Sequence, residues 1–412
     1  MGYVNMKKFN KDKYLKKLRF KKYKRYLYIG IPCILVLLIG IYFAYSKFSV
    51  FKEEEVVRTT VGEFIYGDVV IGAYIDGEYS NTIPGKNDGY VVKSVSCDNN
   101  ATGSWNNDSW GIIVTNLTKR TKCNVYFETK KNSVNDVINE AVNTNSSMFA
   151  SDDADKNVRY IGKDPSNYVY FNCSDYNNQS DSTCEKWRII GVFNDVTKSD
   201  ATKENLVKII RDKSIGDIAW DSNNVNDWST ATLQQNLNSG TYYTTTLKND
   251  ATRNAIESVV WNLGGTSAYS ISTASTFYTA ERGTTVDGGH STTWTGKIGL
   301  MYPSDYGYAT AGGSSTRRAT CLSTSLYNWD GSGVADCKNN DYLFNSSYQW
   351  TLAPYSADAR YVFIVYSNGG VVYGYASATD GVRPTIFLKS NIQVDKGTGE
   401  RFNPYQLKLG ID

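Results

Sequence analysis

A run of 21 residues without a charged side chain, Tyr26–Ser46, constrains the fold of this chain more than any other feature. About 20 apolar residues in a helix match the ~30 Å hydrocarbon core of a bilayer, and tyrosines at both ends are typical interfacial anchors. The run therefore predicts one transmembrane helix over residues 26–46. A cleaved signal peptide is the alternative, since Ala44-Tyr45-Ser46 loosely resembles a cleavage site, but the long basic region before the run favours a retained helix.

Charge is distributed unevenly around this run. Residues 1–25 hold eleven Lys or Arg and one acid, a net charge of +10, so the total of +3 leaves −7 for the other 387 residues. Basic residues beside a membrane segment stay on the cytoplasmic side. We therefore expect a single-pass cell-membrane protein with a cytoplasmic tail over 1–25, a stalk over 47–58 and an extracellular C-terminal part. The acidic ectodomain argues against nucleic acid as a partner.

Six cysteines follow the apolar run in three couples that are close in sequence. An extracellular location is oxidising, which favours disulfides within the couples Cys97–Cys123, Cys173–Cys184 and Cys321–Cys337. The sequence contains no Cys-x-x-Cys pair or Cys/His cluster, which argues against a zinc site.

The part after the stalk divides into a strand-rich segment, a short linker and a long mixed segment. Residues 59–130 alternate β-branched and aromatic runs with turn sequences, a pattern typical of a small all-β sandwich. Apolar residues at helical spacing after Ser133 predict a linker helix within 131–150. Residues 151–412 combine strand and helix patterns, so the expected class is α+β.

Strands and helices are predicted across this last segment. The strand candidates are Tyr168–Phe171, Trp187–Phe193, Leu206–Ile210, Tyr361–Tyr366, Val371–Tyr375 and Val382–Leu388. The helix candidates are Thr230–Leu237, Ala251–Leu263 and Thr273–Glu281. Asn368-Gly369, between two strand candidates, is a strong signal for a β-hairpin.

Residues for the common catalytic chemistries are scarce. His290 is the only histidine, and its polar sequence context predicts a solvated loop residue rather than a member of a catalytic triad. The segment from Asp153 to Asp164 is similar in pattern to a calcium-binding loop. However, Val158 occupies the position where such a loop needs glycine, so a polar turn is the preferred interpretation. The chain has no phosphate-binding glycine loop, and we expect no cofactor and no metal.

Tyrosine, serine, asparagine and glycine are concentrated between Trp350 and Pro384. Tyrosines supply rigid amphipathic contact area and the small polar residues supply adaptable hydrogen bonds, as in binding surfaces. An AT-rich genome would also raise the tyrosine content, to 32 here, without selection for binding. The local concentration is therefore better evidence for binding than the composition of the whole chain.

The order of several motifs resembles uncharacterised surface proteins of Gram-positive gut bacteria. Over about residues 155–412 the motifs are Asn167–Asn172, Trp187–Gly191, Lys208–Arg211, Trp261–Asn262, Glu281–Gly283, Gly296–Tyr306, Trp350–Leu352, Gly381–Ser390 and Asn403–Tyr405. The last domain of those proteins is similar to the C-type-lectin-like fold of formylglycine-generating enzymes and of the variable proteins of diversity-generating retroelements. Residues 75–127 are similar to small β-domains found beside it.

The resemblance implies a scaffold that displays a recognition face between Tyr355 and Asp380, with Trp350, Arg383 and Pro384 as framework. Cys321 and Cys337 are far apart in sequence, so oxidase activity is not implied. The candidate ligand-binding residues are Tyr355, Ser356, Asp358, Tyr361, Tyr366, Asn368, Tyr373, Tyr375 and Asp380.

The expected fold is thus α+β: a C-type-lectin-like domain over 151–412, a small all-β sandwich and one N-terminal transmembrane helix. The expected function is membrane-anchored binding or adhesion, without enzymatic activity, toward an extracellular glycan or surface protein. Two alternatives stay open: an envelope enzyme that acts on cell-wall polymer through an Asp/Glu pair, and a structural envelope component.

Overall fold

The computed structural model describes residues 64–66, 69–86, 88, 90–107, 109–130 and 132–409. The predicted tail, membrane segment and stalk lie outside these ranges. Within the ranges, no helix is both long enough and apolar enough to cross a bilayer. The chain divides into two compact units, one ending at Lys130 and one beginning at Lys131.

In the described part of the first unit, the regular elements are strands. They are β1 (Phe64–Tyr66), β2 (Val69–Ile75), β3 (Glu78–Ser80), β4 (Tyr90–Cys97), β5 (Thr102–Asn106), β6 (Gly111–Thr115) and β7 (Thr121–Thr129). One mixed sheet has the order β1-β2-β7-β4, and β3 also pairs with β2. Strand β2 runs parallel to β7. Every second residue of β7 is buried, as expected for a strand with one face in a core.

The predicted β-sandwich is therefore corrected to one mixed sheet and a hairpin. Strands β5 and β6 are five residues each and, among the described residues, pair only with each other, so they form a two-stranded hairpin and not the multi-stranded second sheet of a sandwich. Trp105 of β5 packs against Phe127 of β7, with ring centroids 5.5 Å apart.

The second unit contains short helices and many strands. The helices are α1 (Val134–Thr144), α2 (Thr232–Asn238), α3 (Asp250–Ala255), α4 (Ala274–Glu281), α5 (Pro303–Ala309), α6 (Arg318–Ser323) and α7 (Ala335–Asn339). The strands before α5 are β8 (Phe149–Ala150), β9 (Val158–Tyr160), β10 (Tyr168–Phe171), β11 (Glu185–Thr197), β12 (Lys203–Arg211), β13 (Asp217–Ala219), β14 (Val259–Asn262), β15 (Thr293–Gly296) and β16 (Ile298–Gly299). Those after α7 are β17 (Gln349–Pro354), β18 (Tyr361–Val365), β19 (Val371–Tyr375), β20 (Thr379–Gly381), β21 (Thr385–Leu388), β22 (Gln393–Lys396) and β23 (Gln406–Lys408).

Two sheets organise this unit. An antiparallel seven-stranded sheet has the order β16-β21-β12-β11-β9-β8, with β10 also on β11. A five-stranded sheet has the order β13-β20-β17-β18-β19, in which β17 and β20 are parallel. Six tryptophans are fully buried in one large core: Trp187, Trp220, Trp228, Trp261, Trp329 and Trp350.

The predicted α+β class with a C-type-lectin-like domain is wrong, because the structure is mostly β-sheet, with 36% strand and 21% helix. One cause is the predicted helix Ala251–Leu263. It ends at Ala255, and Val259–Asn262 form β14 instead. Two valines and a tryptophan in sequence fit a pleated, half-buried surface better than a helix.

Three disulfides confirm the predicted pairing. Cys97 is bonded to Cys123, Cys173 to Cys184 and Cys321 to Cys337. The first joins β4 to β7, where the two cysteines face each other in register. The third joins α6 to α7 in a part of the second unit that consists of short α-helices and 3₁₀ helices.

Candidate functional site

The hairpin predicted around Asn368-Gly369 is confirmed. Strands β18 and β19 pair antiparallel from Tyr361↔Tyr375 to Val365↔Val371. Gly369 has a φ of +96°, a left-handed conformation that glycine adopts without strain. The turn thereby fixes the register, which decides the side chains that share each face.

One face of the hairpin, at its open end, is covered by tyrosine rings. Tyr361 and Tyr375 are a cross-strand pair with centroids 4.6 Å apart, and Tyr373 lies 4.9 Å from Tyr361. Tyr355, just after β17, stacks on Tyr373 with centroids 4.3 Å apart and planes 20° from parallel. Phe363 lies beneath, 6.0 Å from Tyr355.

Two further tyrosines from distant segments join this surface. Tyr269 contacts Tyr373 edge to face at 4.9 Å, and Tyr327 contacts Tyr269 at 5.3 Å. Ile271, two residues from Tyr269, is 73% exposed. We call the six rings the tyrosine platform: Tyr269, Tyr327, Tyr355, Tyr361, Tyr373 and Tyr375. Sequence reasoning missed Tyr269 and Tyr327, which lie outside the stretch with the compositional signal.

A charged pair lies at the edge of the platform. The guanidinium of Arg360 donates to both carboxylate oxygens of Asp358, at 3.0 and 2.7 Å, and its hydrogen bonds lower the pKa of that carboxyl to about 2. The same guanidinium lies 5.6 Å from the ring centre of Tyr361 and 5.9 Å from that of Tyr375. The edge thus offers an exposed cation beside aromatic rings, a combination common in binding hot spots.

The structure separates the nine predicted site residues into three places. Six lie on or beside the platform: Tyr355, Ser356, Asp358, Tyr361, Tyr373 and Tyr375. Tyr366 and Asn368 lie at the turn of the hairpin, roughly 15 Å along the strands, where Tyr366 packs against Tyr348 at 4.4 Å. Asp380 is on β20, half-buried, and burial raises its pKa.

The framework residues named in the resemblance are buried. Trp350 is 1% exposed and its indole N–H donates to the carbonyl of Ile218 at 2.8 Å. Arg383 is 3% exposed and donates to the carbonyls of Arg211 and Leu343. These contacts connect β17 to β13, and the segment before β21 to β12 and to the loop that contains Leu343, so both residues hold the sheet that carries the platform.

His290 is not the solvated loop residue that its sequence context predicts. It is half-buried, and its Nδ1 lies 3.0 Å from Oδ1 of Asn226. The amide nitrogen of Asn226 donates to the carbonyls of Tyr355, Asp358 and Tyr361. Asn226 therefore holds the loop between β17 and β18, which carries part of the platform.

A buried network of charged groups lies away from the platform. Asp305 accepts from Arg159 at 2.9 Å and from Lys208 at 2.5 Å, and Asp153 accepts from Arg159 at 2.7 Å. Despite desolvation, the two cations hold the pKa of Asp305 at about 2. All four side chains are at most 1% exposed, so each charge is compensated inside the core.

Glu281 is a third buried carboxyl of this region. Burial raises its pKa to about 7, against the opposing effects of Arg282 and of hydrogen bonds from Ser304. A carboxyl with a raised pKa near one with a lowered pKa is typical of acid/base pairs in enzymes. However, Glu281 and Asp305 are 0% and 1% exposed, which keeps both from contact with a polymer.

The predicted polar turn at Asp153 leads into β9. Asp153 accepts from the backbone and amide nitrogens of Asn157 and from Arg159, so its oxygens are occupied within the protein. Across the described part of the chain, no group of three or more His, Cys, Asp or Glu side chains is arranged to hold a metal ion.

Comparisons of this chain with family models, with curated proteins and with solved structures found no match.

Proposed function

We propose that this chain is an extracellular binding protein that recognises a surface protein or a glycan through the tyrosine platform. The proposal rests on one observation: six tyrosines from three separate segments of the chain pack ring against ring at one site. A tyrosine surface fixed by its own packing loses little side-chain entropy on binding.

The exposed parts of the platform support this use. Tyr375 is 48% exposed, Tyr327 39% and Ile271 73%, and Tyr375 lies beside Arg360 of the charged pair of Asp358 and Arg360. Aromatic residues and arginine dominate the energetics of protein interfaces. The rings also offer flat faces on which sugar C–H groups can pack, so the proposal covers glycans as well as surface proteins.

A location outside the cell is part of the proposal. Three disulfides are typical of an oxidising compartment. Attachment to the membrane through residues 26–46 stays a prediction from the sequence.

The test is a binding screen of the purified full-length chain on a glycan array and on an array of bacterial and host surface proteins. A variant with Ile271→Ser, Tyr327→Ser and Tyr375→Ser changes only exposed or partly exposed side chains. We expect it to bind each ligand found at least about tenfold more weakly, equivalent to 1.4 kcal/mol or more.

The matched control is the double variant Tyr348→Ser and Tyr366→Ser, whose tyrosines are similarly exposed, 40% and 36%, but lie at the other end of the hairpin. It should keep full affinity. Equal loss in both variants, or no ligand on either array, would contradict the proposal.

A further inference from the structure

A second candidate site is a cleft in the seven-stranded sheet region of the second unit. It has a volume of about 270 Å³ and lies between the end of β11, strand β14 and the C-terminal end of α4. The volume is at the lower limit of ligand pockets, ~300 Å³, so a ligand of about one ring would fill it.

A β-bulge shapes one wall of the cleft. The register of β11 against β12 shifts between Phe193 and Val196, and Asp195 has a φ of +51°. Asn194 fixes the bulge, because its amide donates to the carbonyls of Asp155 and Lys156 at 3.0 and 3.1 Å. Bulges of this kind occur often beside functional sites, where they redirect side chains.

The part of the cleft lined by α4 and the residue after it is fixed by hydrogen bonds as well. The hydroxyl of Tyr278 donates to Asp155 at 2.6 Å and accepts from Asn157 at 2.8 Å. The guanidinium of Arg282 stacks over the ring of Tyr278, 3.3 Å from its centre. The cleft is thus preformed and would need little rearrangement to bind.

Aromatic side chains form the floor. Phe193, Trp261 and Tyr302 line the cleft, and each is at most 5% exposed. Lys208 lies among these rings, 4.5 Å from the centre of Tyr302, but its charge is compensated by Asp305. The floor therefore offers ring surface rather than an available charge.

Polar groups on the walls are free to bind. The side chains of Asp195, Thr197 and Asn262 have no hydrogen-bond partner among the described residues, and together they offer both donors and acceptors. Arg282 is already close to two carboxylates, 3.7 Å from Asp155 and 3.4 Å from Glu281. Since its charge is compensated, the cleft has no spare cation for an anionic ligand.

We propose that this cleft binds a single neutral sugar ring. Hydroxyl groups both donate and accept, which suits the mixed set of carboxylate, hydroxyl and amide on the walls, and the C–H face of a sugar packs on an aromatic floor. The proposal does not depend on the tyrosine platform.

The test uses saturation-transfer NMR on the full-length chain with methyl α-D-glucopyranoside and N-acetyl-D-glucosamine as neutral probes and D-glucuronate as the charged comparator. We expect transfer to the ring protons of a neutral probe and at least about tenfold weaker binding in the variants Thr197→Val and Asn262→Ala, since each removes a polar contact. The control Thr379→Val changes an exposed threonine of β20 that does not line the cleft and should bind normally.

Three outcomes would overturn the proposal. Absence of transfer to both neutral probes, stronger transfer to D-glucuronate, or unchanged binding in both cleft variants would each exclude a neutral-sugar site here. The platform variant with Ile271→Ser, Tyr327→Ser and Tyr375→Ser should keep the NMR signal, so failure of one proposal is distinguishable from failure of the other.

Discussion

His290 Nδ1 and Asn226 Oδ1 lie 3.0 Å apart. Because the amide nitrogen of Asn226 faces three carbonyls, its oxygen faces the ring, and Nδ1 of His290 is the donor. The only histidine of the chain thereby supports, through one intermediate residue, the loop that holds Tyr355 and Tyr361.

Replacing Asn226 by aspartate should loosen this loop. The substitution keeps the shape but places a carboxylate oxygen against three carbonyl oxygens in a site that is 2% exposed. We expect a loss of about 2–4 kcal/mol in the free energy of unfolding, from a buried charge and lost donors. Urea denaturation measures the loss, and hydrogen exchange should show faster exchange at residues 355–361.

The control is His290→Ala, which removes one neutral hydrogen bond at a half-buried site and should cost only about 1 kcal/mol. Equal and small effects of both substitutions would show that Asn226 does not hold the loop.

The disulfide between Cys321 and Cys337 should contribute to the stability of the region that carries Tyr327. It closes a loop of 16 residues in sequence, for which chain entropy predicts about 3 kcal/mol. Replacing both cysteines by serine should lower the free energy of unfolding by that amount and weaken binding at the platform. The corresponding change at Cys173 and Cys184, which close a loop of 11 residues, should destabilise similarly but leave platform binding unchanged in the folded protein.

The parts of the platform that sequence could predict are those with local signals. Asn368-Gly369 between two apolar runs specifies a hairpin, and the alternation of β18 and β19 then places Tyr361, Tyr373 and Tyr375 on one face. Tyr269 and Tyr327 reach the same face only through tertiary packing of short 3₁₀ turns. Their sequence neighbourhoods carry no pattern that could indicate this.

The prediction of the fold class was wrong for a related reason. Apolar spacing in Ala251–Leu263 fits a helix, yet the strand β14 forms at its end because it pairs with β15, a partner about 30 residues away that no local pattern specifies. The disulfide pairing was predicted correctly because the two cysteines of each couple are close in sequence, so few alternative pairings were plausible.

Stability should fall as the pH rises from about 5 to 7.5, and Glu281 should account for much of the fall. Burial raises its folded-state pKa from 4.5 to about 7, so the folded protein holds this proton more tightly than the unfolded chain. The associated stability is present below pH 4.5 and is lost as the pH rises through about 7, a change of about 3 kcal/mol.

Glu281→Gln should remove this part of the pH dependence. Urea denaturation of both proteins at pH 5 and at pH 7.5 measures it, and parallel curves for the two would refute the assignment. Lys208 acts in the opposite direction and only at higher pH, because burial lowers its pKa from 10.5 to about 8.

Gly265 should be required for the position of Tyr355, because a side chain there has no space. A Cβ on Gly265 would lie 2.0 Å from the carbonyl oxygen of Pro354, and the next residue, Thr266, accepts from the backbone N–H of Ser356 at 3.2 Å. Gly265→Ala must therefore push the two segments apart at the point where Tyr355 begins the platform. We expect a loss of about 1–3 kcal/mol in the free energy of unfolding and weaker platform binding.

Gly333→Ala is the matched control for this substitution. A Cβ at Gly333 would meet no atom within 4 Å, and its backbone is not in the left-handed region, so alanine should be neutral or slightly stabilising. Thermal unfolding of the two variants beside the unchanged protein makes the comparison. If Gly265→Ala leaves the stability unchanged, β17 and the segment after β14 do not approach closely. The close approach would then not explain the position of Tyr355 in the platform.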